Sequence, residues 1–170
     1  MRPPKLSDAP LCVRWFNDPK VIRHLNRQQK LTLKDEIKFL RNLVHDRDNY
    51  TYSIINERGK HIGMSGFKLN RKDKRAAFGI VIGDKKEWGK KYGQEVTGLI
   101  IDFVFKKLKI NRLELEVDVN NKAAVHVYKK FGFMIEGKLR EYSYSKITKK
   151  MEDEYQMSIL RKDWLRSKGR

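Results

Sequence analysis

A run of small and basic residues, Glu87-Trp88-Gly89-Lys90-Lys91-Tyr92-Gly93-Gln94-Glu95, has the composition of an anion cradle. Glycines let a chain turn sharply and bring its backbone close to a ligand. A β-like run from Ala77 to Ile82 leads into the loop, and a long amphipathic helical pattern follows it. Amides in the first turn of a helix lack intrahelical partners, and the dipole there favours negative charge. The arrangement therefore suits a pyrophosphate, with the lysines adding cationic screening. A plain turn with a solvated charge cluster has the same local composition, so the rest of the chain decides.

The chain has 170 residues, 39% of them hydrophobic and 11% aromatic, which is enough for one domain burying roughly 70% of its unfolded surface. No apolar run approaches the ~18 residues of a membrane span, and Met1-Arg2-Pro3-Pro4 does not begin a signal peptide. A cytoplasmic location is the expectation. Cys12 is the single cysteine, which excludes an internal disulfide, and its apolar helical surroundings predict a buried, inert thiol. No spacing of histidines, cysteines or carboxylates predicts a metal site or a hydrolase triad.

Lysine and arginine number 39 against 21 acidic residues, a net charge of +18. Such a field attracts anions and repels polycations. Nucleotides, CoA, RNA, a ribosome surface or an acidic protein are the partners it favours. Lysine-rich genomic or thermophilic bias gives the same count. The basic residues are densest at 68–75, 85–91, 146–150 and 161–170, without the interleaved aromatics of an RNA-binding surface.

The elements around the loop follow from hydrophobic periodicity. Ser7-Asp8 is expected to cap a short helix carrying Leu11, Trp15 and Phe16, ending near Asn17-Asp18-Pro19. Thr32 is expected to cap a second, with Ile37, Leu40 and Val44 on one face and Glu36 in the first turn. Residues 49–56 and 61–69 read as strands joined by a turn at Glu57-Arg58-Gly59-Lys60, and 75–82 as the next strand after a charged turn. Beyond the loop, Val96, Leu99, Ile100, Phe103 and Val104 line one helical face that extends to about Leu108. Residues 112–119 alternate, with Leu113, Leu115, Val117 and Val119 on one face and Glu114, Glu116 and Asp118 on the other. A helix follows over 122–131, with Val125, Tyr128 and Phe131 at helical spacing. A strand begins at 133–135, and a hairpin through 142–145 and 155–160 closes the chain. Hairpins followed by a strand–loop–helix–strand unit predict a mixed α/β sheet with helices on both faces. No repeat or linker supports a second domain.

One further stretch runs from Leu115-Glu116-Val117-Asp118-Val119 through Asn120-Asn121-Lys122-Ala123-Ala124 to Tyr128 and Phe131-Gly132-Phe133. With it the chain resembles the GNAT superfamily of acetyl-CoA-dependent N-acetyltransferases. The similarity is greatest to the branch holding ribosomal-protein N-terminal and spermidine acetyltransferases. The pieces stand in the family's order: Trp15-Phe16-Asn17-Asp18, then Trp88 to Gly93, then Asn121 to Ala124 with Tyr128 and Gly132-Phe133. Glu136-Gly137-Lys138-Leu139-Arg140-Glu141 and Met157-Ser158-Ile159-Leu160 follow, before Asp163-Trp164. The likeness covers nearly the whole of 1–170.

The resemblance implies a mostly antiparallel twisted sheet with a splayed central strand pair. Backbone groups of Ile80, Val81 and Ile82 would pair with the pantetheine arm of acetyl-CoA. The loop Trp88, Gly89, Lys90, Lys91, Tyr92, Gly93 and Gln94 would hold its pyrophosphate. Asn121 matches an asparagine near the cofactor arm, and its residue type also suits a helix N-cap. Tyr128 matches the tyrosine that protonates the departing thiolate, and a phenol of ordinary pKa near 10 is a sensible donor. As a residue on a helix face it equally suits the core. The acceptor amine arrives as ammonium and needs a base. Glu116 is the first choice for it, with Glu114 and Glu141 as alternatives; a simple ion pair with nearby lysines is the other reading of Glu116.

Three positions depart from the family's pattern. Lys91 stands where glycine is usual and is expected to take an ordinary backbone conformation. Ala124 stands where serine is frequent. The usual first strand is nearly absent, truncated or vestigial at Met1-Arg2-Pro3. The expected activity is direct acetyl transfer to a primary amine, first a protein or peptide N-terminus, by a monomer or homodimer. An amino-sugar nucleotide or other small amine is the alternative acceptor, and the global charge disfavours polyamines. The rival of another kind is a GNAT-like module without catalysis that binds RNA or the ribosome.

Overall fold

The computed structural model describes residues 1–25, 29–43 and 45–168. Two short helices come first, α1 (Ala9–Phe16) and α2 (Leu33–Asn42). Proline at the start of α1 suits a first turn that needs no amide donor. Asp8 stands just before α1, but its carboxylate does not cap the helix. It accepts hydrogen bonds from Arg2 (2.7 Å), the Lys5 amide (2.8 Å) and the Ser53 hydroxyl (2.8 Å) instead. The expected cap was overridden because the long-range partners satisfy a buried charge that helix amides alone would leave unpaired. Thr32 does cap α2, its hydroxyl accepting from the Asp35 amide. Leu40 lies buried on the face predicted for it, while Val44 lies outside the described residues. Cys12 is fully buried, and burial pushes its thiol up to about 12.

Strands β1 (Asn49–Ile55), β2 (His61–Asn70) and β3 (Arg75–Ile82) form an antiparallel meander. Gly59, at φ 73°, makes its first turn. In place of a first strand, Arg2 forms an isolated bridge with Ser53 of β1. Helix α3 (Tyr92–Asp102) continues into a π-helical stretch over Phe103–Lys107, closed by the Leu108 amide bonding to the Phe103 carbonyl. Then come β4 (Arg112–Asp118), α4 (Lys122–Lys130), β5 (Met134–Ser145), β6 (Lys150–Leu160) and α5 (Arg161–Lys168).

The six strands order as β1-β2-β3-β4-β6-β5, and only the β3–β4 join is parallel. The core lies between this sheet and α3–α4. There Leu113, Leu115, Val117, Ala76 and Phe78 meet Val96, Ile100, Ile101, Val104, Phe105, Val125 and Tyr128. Leu99, expected on that face, is 49% exposed. The buried positions Val96, Thr97, Ile100 and Ile101 are one helical step round from it, and the π turn then seals Val104 and Phe105 completely. On the opposite face of β4 stand Glu114, Glu116 and Asp118, as alternation requires.

Candidate active site

The join between β3 and β4 is short. Arg75 opposes Arg112, Ala76 opposes Leu113, Ala77 opposes Glu114, and pairing stops there. β3 continues to Ile82 and β4 to Asp118, each still bonded on its outer side, to β2 and β6. The inner edges of Ile80, Val81 and Val117 therefore flank a notch in the sheet with no strand between them. Within it the carbonyl of Ile82 accepts a 2.7 Å hydrogen bond from the Trp88 indole, so the loop is tied to the strand end.

That loop turns through Gly89 (φ 77°) and enters α3 at Tyr92. The first helical bond runs from the Glu95 amide to the Lys91 carbonyl at 3.0 Å. The amides of Tyr92, Gly93 and Gln94 thus have no helical acceptor and form a small anion-directed cluster. A Cβ built at Gly89 or Gly93 meets nothing within 4 Å, so the loop face is open. Lys90 pairs with Glu87 at 3.0 Å, and Lys85 with Asp18. The residues present fit a pyrophosphate.

Lys91 corrects the sequence reading. Its φ is 66°, left-handed, where an ordinary conformation was expected. The turn geometry needed to aim the α3 amides outward is kept, and the lysine bears the steric cost of a Cβ there. Lys91→Gly should therefore raise stability by about 1 kcal/mol, seen as a higher melting temperature. A β-branched residue at this position should lower it.

Tyr128, on α4, is buried on the core side of the sheet. It meets Phe78 edge-on at 6.2 Å and Phe133 at 5.6 Å, and burial pushes its phenol up to about 12. Asn121 caps α4, its side-chain oxygen accepting from the Ala124 amide at 3.2 Å.

From the other side of the sheet a cavity of about 430 Å³ reaches the point where β3 and β4 part. Its walls include Glu114, Glu116, Asp118 and Glu154. Glu114 is held between Arg75 (2.5 Å) and Arg112 (2.6 Å). Asp118 lies 2.6 Å from Nδ1 of His24. Glu116 is exposed and accepts a 3.1 Å bond from the Tyr142 hydroxyl. Glu154 sits opposite Asp118 on β6 and is buried. Burial raises its pKa, the Ser143 hydroxyl partly offsets this, and the nearby Glu116, Asp118 and Glu152 add to it. Neither Glu116 nor Glu154 has a cationic partner among the described residues. Arg75, the one arginine among the described lining residues, is engaged by Glu114.

A second, mainly apolar cavity of about 520 Å³ adjoins the first along Leu25. Phe16, Leu31, Phe39, Met64 and the β3 backbone at Gly79–Val81 line it.

Of the residues singled out in the sequence, Ile80 to Ile82 and the loop border the notch and Glu116 lines the cleft, while Tyr128 packs in the core against Phe78 and Phe133 and Asn121 caps α4. His24 and Glu154 were missed. For Glu154 a signal existed, since Glu152, Glu154 and Gln156 alternate along a strand that had to pair with β4. For His24 there was none, as its partner lies 94 residues away.

A family model described as acetyltransferase (GNAT) domain matches residues 1–134. The chain is 28% identical to the N-acetyltransferase p20 of Bacillus licheniformis over 169 residues, covering 96% of this chain and 93% of the relative. It is 29% identical to spermidine N(1)-acetyltransferase of Vibrio cholerae over 133 residues, 77% and 75% of the two chains. Among solved structures, spermidine N-acetyltransferase from Vibrio cholerae in complex with CoA and spermine matches its fold with a TM-score of 0.89. Sequence identity there is 22%, over 96% of each chain.

Proposed function

Since the chain belongs to the GNAT acetyltransferase family, we propose that its notch transfers the acetyl group of acetyl-CoA directly to a small cationic amine. When bound, acetyl-CoA supplies the acetyl group as a reactive thioester. Residues Trp88 to Gln94 would hold its pyrophosphate through the α3 amides, and the inner edge of β3 at Ile80–Ile82 would face its arm. Tyr128 would donate a proton to sulfur. Its phenol, kept un-ionised by burial, suits a donor that must stay protonated at working pH.

The observation that carries the acceptor reading is the acidic cleft. Among the described residues Glu116 and Glu154 have no cationic partner, in a chain of net charge +18, and both line the cleft where the strands part. A small amine with a second positive charge would offset their mutual repulsion. The relatives named as spermidine acetyltransferases support the same class. Glu116 contributes as a holder of the ammonium. A peptide N-terminus is the second reading, favoured by the apolar cavity beside Leu25, which would accept a first side chain.

The test is thiol release from acetyl-CoA with spermidine, 1,4-diaminobutane, a methionine-initiated tetrapeptide and an amino-sugar nucleotide, with products identified by mass. The diamine and polyamine should give kcat/KM at least about 10-fold above the others, and Glu154→Gln should erase most of that preference. Preference for the peptide would transfer the proposal to the second reading. No acetylated product from any acceptor would overturn the enzymatic one.

A further inference from the structure

His24 and Asp118 form a pair that the binding of acetyl-CoA does not require. Asp118 is nearly buried, its side chain 5% exposed, while the His24 ring is 32% exposed. With Nδ1 engaged by the carboxylate at 2.6 Å, the ring's other nitrogen is the one left for the cleft, whose wall His24 helps to form. A carboxylate behind an imidazole selects the tautomer with a bare Nε2 and stabilises the imidazolium formed when that nitrogen takes a proton. The second oxygen of Asp118 accepts from the Asn120 amide at 2.8 Å, so the carboxylate is fixed from both sides.

We propose that Nε2 of His24 is the base that deprotonates the acceptor ammonium, with Asp118 as its positioning residue and Glu116 and Glu154 as the groups that hold the acceptor. This rests on the acetyltransferase reading above. Among the described residues the charged groups sharing the cleft with His24 are Asp118, Glu116 and Glu114 from β4, Arg75 from β3 and Glu154 from β6, with Arg23 beside it in the chain, which itself pairs with Glu152 at 3.4 Å. Imidazole is the side chain whose unperturbed protonation range lies nearest neutrality, so it removes an amine's proton with less penalty than an ordinary carboxylate.

The protons balance. The ammonium gives one to Nε2, and the neutral nitrogen then forms a bond to the thioester carbonyl carbon. As the carbon–sulfur bond breaks, Tyr128 gives its proton to sulfur. The second proton shed by nitrogen restores the phenol through solvent. The products are the acetamide and CoA thiol, and the imidazolium returns its proton to bulk water.

Two variants separate base from anchor. Glutamine at position 24 can still donate to Asp118 but cannot take up a proton. With spermidine as the probe acceptor, His24→Gln should keep the parent's melting temperature and acetyl-CoA KM. It should lose about 100-fold or more in kcat, together with the acidic limb of the pH–rate profile. Added imidazole should partly restore His24→Ala, and His45→Gln, an exposed control, should behave as the parent. A His24→Gln enzyme with the parent's kcat and pH profile would overturn the proposal. So would imidazole that leaves His24→Ala unchanged. A parent enzyme that acetylates no amine would instead overturn the reading beneath it, so the two failures are distinct.

Discussion

The Tyr128→Phe enzyme is expected to bind acetyl-CoA as the parent does and to turn over about 100-fold more slowly, near 2.7 kcal/mol of barrier. The change removes one oxygen and keeps the ring that packs against Phe78 and Phe133. Folding and the shape of the notch should therefore survive, and the loss should appear in kcat alone. A phenol raised to about 12 is a weak acid against a thiol in water. The thiolate leaving in the same low-dielectric pocket is also penalised by burial, which raises its basicity and narrows the gap. Stopped-flow turnover beside calorimetric titration of acetyl-CoA checks the split. An unchanged kcat would remove Tyr128 from the chemistry.

Asp8→Ala should cost about 3 kcal/mol of stability at neutral pH, measured by urea denaturation. The carboxylate is the meeting point of Arg2, the Lys5 amide and the buried Ser53 hydroxyl, and it lies 3.3 Å from Nδ1 of buried His61. Removing it strands several of these groups at once. These bonds outweigh burial and hold the Asp8 carboxyl well below the usual carboxylate range. A depressed folded-state pKa gives stability that is present above the unfolded value, near 3.9, and lost as pH falls below it. The gap between parent and variant should accordingly be full at pH 7 and shrink from about pH 4 downward.

Local chemistry was legible in the sequence, and distant pairing was not. The limits of β3 (Arg75–Ile82) could be read off turn residues and alternation. So could the caps at Thr32 and Asn121, because cap and helix lie within four residues. Asp8 defeated the same rule, since its best partners, Arg2 and Ser53, lie on other segments. Leu99 was misplaced because positions 96–101 fit two neighbouring helical stripes until the core on either side is known. Lys91 misled because its side chain argues against a left-handed turn that the surrounding loop nonetheless imposes. Of the site, the anion loop and Tyr128 carry family-like spacing. The acid-lined cleft arises only when β6 is laid beside β4, and His24 reaches it from a loop.

The three residue pairs joining β3 to β4 contrast with joins of seven or more pairs elsewhere in the sheet. Mechanically the sheet is two blades, β1-β2-β3 and β4-β6-β5, stitched at one end. The stretch with the fewest backbone bonds is also the stretch a substrate arm would enter, and a bound arm would bridge the two blades where the stitching stops. Cohesion of the sheet and affinity for the substrate thus become one quantity. Whatever loosens the blades weakens binding, and whatever binds slows their parting.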